Sequence, residues 1–213
     1  MADFINTIDV LGDDAVVDSI IQRTITEFKD DIVTSVGNFA FYSCKELRNV
    51  DIPNATMVGA SAFSGANSLE TFNAPNLVSA GMSTFYDNTA LQSICLPKLK
   101  GALSSAFRYC YALKYVELHE IESFGGYIFE ADLALKAVVI RNINTVPKID
   151  STTFHYTEGS GISKGTGYVY VPSALVDSYK AATNWSVYAE QIRALEDYTV
   201  DGTITGELDE TKI

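Results

Sequence analysis

The sequence predicts a repeat solenoid of the α/β type. Short strands form a curved sheet, short helical or 3-10 turns join them, and helical caps close both ends. Three observations lead there. Phe41, Phe63, Phe85, Phe107 and Phe129 are successive 22-residue steps. Six residues after each stands a leucine: Leu47, Leu69, Leu91, Leu113 and Leu135. Three further on lie Val50, Phe72, Ile94, Val116 and Val138, then, two later, Ile52, Ala74, Leu96, Leu118 and Ile140. Such fixed self-similarity at a period of about 20–29 residues is the pattern of a leucine-rich solenoid, since no unit buries its apolar face alone and stacked units bury one continuous core.

Residues 1–32 read as an N-terminal cap. Residues 13–23 have the pattern of a short amphipathic helix. Asp13 and Asp14 suit its positive end, and Val16, Val17, Ile20 and Ile21 make the apolar stripe. Thr24 to Phe28 alternates as a strand does, with Ile25 and Phe28 in the Leu and Val columns one period earlier. Asp30 then occupies an apolar position, so this is a half repeat. A cap there is expected because an open edge strand templates aggregation.

Residues 33–172 form the solenoid: five regular units and a stretched sixth. Each opens with an extended piece such as Val33–Gly37, continued in the columns Ala55, Leu77, Leu99, Ile121 and Val58, Ala80, Ala102, Phe124. Gly37, Gly59, Gly81 and Gly125 share the next column, read as a turn needing positive φ, and Leu103 interrupts it. Residues 38–44 are expected to make one helical or 3-10 turn that drives Phe41 inward. The strand Asn49–Pro53 then points Val50 and Ile52 in and Asn49, Asp51 and Pro53 out. In the sixth unit Ile143, Val146 and Phe154 continue the columns, with the Phe three residues late. Val169 arrives nine late, after a Gly-rich insertion expected to be flexible. Residues 173–195 read as a helical C-terminal cap, capped by Ser173 and broken at Trp185, with a second helix carrying Tyr188, Ile192 and Leu195. Residues 196–213, with six acids and one base, read as a weakly structured tail.

Composition narrows the function. The net charge of −12 and the lack of a basic cluster argue against nucleic acid. No apolar run approaches the roughly 18 residues of a membrane span. The start has neither a basic segment nor an apolar core of the secretory kind, so synthesis in the cytoplasm is expected. Cys44 and Cys110 share a column three repeats apart, about 14 Å at the strand spacing, too far to bridge, and are read as buried free thiols.

The unit Val36-Gly37-Asn38-Phe39-Ala40-Phe41-Tyr42-Ser43-Cys44-Lys45-Glu46-Leu47-Arg48-Asn49-Val50-Asp51-Ile52-Pro53 resembles the BspA-like leucine-rich repeats of gut bacteria and their phages, over about 140 residues from Val33 to Pro172. The stretch Tyr168–Trp185 looks like the closing module of such proteins. The resemblance implies a right-handed solenoid and non-enzymatic binding in adhesion or host recognition, with a structural part of a phage virion or tail as the alternative.

The residues point the same way. There is no His-x-x-x-His and no Cys-x-x-Cys, so a metal site made by local spacing is set aside, and no catalytic, cofactor or metal residue is assigned. His119 and His155 are read as surface residues, and the Gly159–Gly167 run as a loop lacking the Gly-Lys-Ser/Thr order of a phosphate loop. Cys95, between Ile94 and Leu96, should point outward. The outward columns Asn49, Thr71, Ser93, Tyr115, Ala137 and Asp51, Asn73, Cys95, Glu117, Val139 are the candidate binding face for a protein or glycan partner. Asn49, Asp51, Asn73, Tyr115 and Glu117 are its expected contact residues, with Tyr115 the anchor. The columns set neither the ligand nor the oligomeric state.

Overall fold

The structure, a computed structural model, describes residues 10–12, 24–155, 158–200 and 203–204. The helix expected at 13–23 lies outside them, as does most of the acidic tail.

Two sets of parallel strands wind along the chain. Short strands β1 (Val10–Leu11), β3 (Ser35–Val36), β5 (Met57–Val58), β7 (Ser79–Ala80), β9 (Gly101–Ala102), β11 (Ser123–Phe124) and β13 (Lys148–Ile149) form a seven-stranded sheet in that order. Longer strands make the other face: β2 (Glu27–Lys29), β4 (Asn49–Asp51) and β6 (Thr71–Asn73) in one sheet, and β8 (Ser93–Leu96), β10 (Tyr115–Leu118), β12 (Ala137–Ile140), β14 (Tyr168–Val171) and β15 (Ile192–Ala194) in the next. The register follows the 22-residue period: Phe28 pairs with Val50, Val50 with Phe72, and Ile94 with Val116. The half repeat at Ile25 and Phe28 is therefore a true first strand. The long face divides between β6 and β8, where the inward column carries Phe72, whose ring stands edge-on to Phe63 at 5.2 Å and Phe85 at 4.7 Å.

The core is an aromatic ladder. Phe41, Phe63, Phe85, Phe107, Phe129 and Phe154 are all fully buried. Their rings stack in sequence with centroids 5.1, 6.0, 5.3, 5.8 and 5.3 Å apart. Phe28 packs on Phe41 at one end, and Trp185 and Tyr188 pack on Phe154 at the other. Cys44 and Cys110 are buried free thiols, and burial holds the Cys44 thiol up at about 12.

The turns differ from the expected helical turn. Phe39, Ser61, Ser83, Ser105 and Tyr127 have φ of 52–61°, and Ser43, Asp87, Tyr109 and Ala131 have φ of 55–67°, so two left-handed residues per turn break any helix. Each turn instead bonds to the next. The Phe41 N–H donates to Ala62 O at 2.7 Å, Phe63 to Thr84 at 3.0 Å and Phe85 to Ala106 at 2.8 Å. This satisfies backbone groups inside the stack that water cannot reach. The glycine column has a different cause from the one expected. The positive φ lies two residues later, and a Cβ on Gly81 would stand 2.5 Å from Ala60 N, and on Gly59 2.7 Å from Asn38 N. Close backbone stacking demands glycine there, not handedness.

The sixth unit is corrected in register. Phe124 pairs with Ile149, so the three-residue insertion precedes β13, at the turn where Asn142 Oδ1 accepts the N–H groups of Asn144 and Thr145. Val146 and Ile149 occupy the columns, and Ile143 is 73% exposed. The Gly-rich insertion is packed rather than loose: Ser160 and Ile162 are fully buried, and a Cβ on Gly161 would strike the Leu135 carbonyl.

The C-terminal cap is only partly helical. Ser173–Leu175 is a 3-10 turn, α1 (Val176–Ala181) a short helix and Ser186–Gln191 a second 3-10 segment. The expected second helix ends there, because Ile192 enters the inward column as part of β15, opposite Val169. Ser173 does not cap; its hydroxyl bonds to Glu196 Oε1 at 3.1 Å. Trp185 does close the last repeat, its Nε1–H donating to Pro147 O at 2.7 Å.

Candidate binding face

Alternation along β4, β6 and β8 sends every second side chain outward, and stacking by 22 residues aligns those side chains in rows. The result is a groove of about 1230 Å³ over the long strands. Asn49, Asp51, Asn73 and Glu117, four of the five expected contact residues, line it together with Thr71, Ser93, Glu27 and Lys29. The row is linked across strands: Thr71 Oγ1 donates to Asn49 Oδ1 and Asn73 Nδ2 to Asp51 Oδ1, both at 2.7 Å. Arg48 and Glu70 pair beside it at 2.7 Å, both about half exposed and therefore of small energetic weight.

Tyr115 and Glu117 have different surroundings. In β12 the outward residues are Ala137 and Val139, and Tyr198 lies over them, 4% exposed, with Tyr115, Tyr170 and Leu195 packed around it. Burial raises the Tyr198 phenol to about 12. Tyr115 is thus half-buried in an intramolecular cluster, not a free anchor. Glu117 is 6% exposed at the end of the groove. Its Oε1 accepts from Arg141 Nε at 2.6 Å and meets His119 Nε2 at 2.7 Å. His119, read as a plain surface residue, is partly buried in this cluster. Cys95 does point outward, between buried Ile94 and Leu96, and is the direct cross-strand partner of Glu117. Thus a thiol, a carboxylate and an imidazole meet although no local spacing in the chain announces them. His155 lies away from the groove and is exposed.

A second surface was missed by the sequence reading. On the turns, Arg108 stacks over Tyr109 at 4.7 Å and faces Tyr127 at 5.5 Å, while Tyr86 meets Tyr109 edge-on at 5.2 Å and Tyr111 flanks it. Tyr111, Tyr42 and Phe39 are each more than 40% exposed. The available signal was tyrosines recurring near one repeat position, at 42, 86, 109, 111 and 127.

Among the described residues no helix is long and apolar enough to cross a membrane.

Comparison with known proteins agrees with this architecture. The family model for the BspA type leucine-rich repeat region matches residues 25–160 in six copies. No curated protein matches the sequence. Among solved structures, the leucine-rich repeat protein of T. pallidum aligns with a TM-score of 0.60 at 21% identity, over 68% of this chain and 71% of that one. The pneumococcal vaccine antigen PcpA aligns at 0.58 and 18%, over 79% and 40%. A leucine-rich cell surface protein of Faecalibacterium prausnitzii aligns at 0.50 and 20%, over 67% and 45%. The chain spans less than half the length of the last two, and at these identities the likeness is one of fold.

Proposed function

Because the chain belongs to the BspA-type leucine-rich repeat family, we propose that it is a non-catalytic interaction module that holds a protein partner in the groove over β2, β4, β6 and β8. Repeat folds of this family are scaffolds typical of surface or interaction modules, and no enzyme family is indicated. The observation that carries the reading is the uncovered polar row Asn49, Asp51, Thr71 and Asn73, held rigid by cross-strand hydrogen bonds. Fixed side chains lose little entropy when a partner docks. The groove lining includes Glu27, Asp51, Glu70 and Glu117 against Lys29 and Arg141, which favours a partner with basic or amide-rich contacts. The module acts in recognition at a surface.

The test is affinity capture followed by cross-link mapping of the captured protein. Cross-links to the groove, and loss of at least about tenfold in affinity in the Asn49→Ala, Asp51→Ala, Asn73→Ala triple variant, are the expected result. Binding that survives the triple change but fails in Tyr86→Ala, Tyr111→Ala would move the site to the tyrosine turns. A glycan retained in the groove would replace the protein partner, and isolation only as a fixed part of a virion or tail would replace the recognition role.

A further inference from the structure

We propose that Cys95, Glu117 and His119 form a site for one divalent transition-metal ion of the zinc class. Cys95 on β8 and Glu117 on β10 are opposite each other in the parallel ladder, and His119 is two residues beyond Glu117, so all three emerge on one face. Their ligand atoms already lie within 4.8 Å of one another. Bond lengths of about 2.0–2.3 Å in a tetrahedral site place ligand atoms roughly 3.3–3.8 Å apart, so side-chain rotations of about 1 Å close the set.

The surroundings suit the task. Glu117 is held at Oε1 by Arg141 Nε, which orients the carboxylate while Oε2 turns to the metal. The His119–Glu117 hydrogen bond is exchanged for bonds to the ion, and the thiol proton leaves to solvent as the thiolate binds. With the thiol deprotonated, thiolate, carboxylate and guanidinium give the ligand set one net negative charge. A set of one sulfur, one nitrogen and one oxygen favours zinc-like ions over magnesium or calcium. All three residues line the groove, so the fourth coordination position opens to it. Arg141, Glu117 and His119 also form a hydrogen-bonded network without any metal, and the cysteine is therefore the residue that discriminates the two.

The test is titration of the full chain, chelator-stripped and kept reduced, with cobalt(II) as a spectroscopic probe. The expected result is a one-to-one complex with a thiolate-to-cobalt charge-transfer band, displaced by zinc. The band should vanish in Cys95→Ser, and affinity should fall at least about tenfold in His119→Ala, since loss of an outer-shell partner alone costs that much. No charge-transfer band, or the same band in Cys95→Ser, overturns the proposal, as does unchanged affinity in His119→Ala.

Discussion

At β4 and β6 the outward residues are Asn49, Asp51, Thr71 and Asn73; at β12, three repeats further on from β6, the same columns hold Ala137 and Val139. The register is identical and the chemistry is opposite. The polar half faces a groove, whereas the apolar half lies under Tyr198, brought back across the sheet by β15 and the turn Leu195–Asp197. One repeat template therefore yields an open surface and a self-covered one, and the switch is made by side chains that do nothing for the core. Glu117, Cys95 and His119 sit at the border between the two.

Four expected outcomes probe that contrast, from the largest effect to the smallest. Phe85 touches Phe63, Phe72 and Phe107 at the junction of the two halves. Phe85→Ala should cost about 3–5 kcal/mol in denaturant unfolding, and a loss below about 1 kcal/mol would mean the halves do not share one core. Tyr198→Ala should cost about 2–3 kcal/mol, uncover Ala137 and Val139 to an apolar dye, and leave capture by the groove unchanged.

Asp132 gives a pH-dependent outcome. It is fully buried, Oδ1 accepts the Cys110 N–H at 2.8 Å, and Oδ2 has no partner among the described residues. Burial pushes its pKa well above the ordinary carboxylate range. The folded chain therefore holds a proton that the unfolded chain releases near pH 4, so this contribution to stability is present below that pH and is lost as pH rises toward the folded value. In the same column Asn88 and Cys110 donate to the carbonyls of Phe63 and Phe85, so an amide suits the position. Asp132→Asn should gain on the wild type by up to about 1.4 kcal/mol per pH unit above pH ~4, followed as unfolding midpoints across pH. A constant difference would mean the acid ionises in the fold. Smallest of all, Asn73→Ala should change stability by less than about 0.5 kcal/mol, since its amide sits on a solvated face, while weakening capture measurably.

Much of the fold was readable because stacking makes each inward position obey one rule. A column of Phe, Leu and Val or Ile repeating every 22 residues can only be core, and Phe28, Phe154 and Val169 extended it to both ends. What escaped reading depended on approach between backbones or on segments far apart in the chain. The glycine column looked like turn chemistry, yet Gly59 and Gly81 are there because the neighbouring turn lies under 3 Å from any added Cβ. Ile192 looked helical from its local spacing, but an unpaired edge beside Tyr168–Val171 drew it into a strand. Of the five expected contact residues, Asn49, Asp51, Asn73 and Glu117 line the groove, but Tyr115 is packed against Tyr198 and Glu117 is held by Arg141, residues 83 and 24 positions away.

Periodicity in the chain thus settles the solenoid, its core columns and its strand register, because those follow from a burial rule that each repeat applies to itself. The openness of the groove, the covering of its far half and the meeting of Cys95, Glu117 and His119 were decided only when the units stacked. An outward side chain is free of the burial rule, and its surroundings are set by whatever the rest of the chain lays across it.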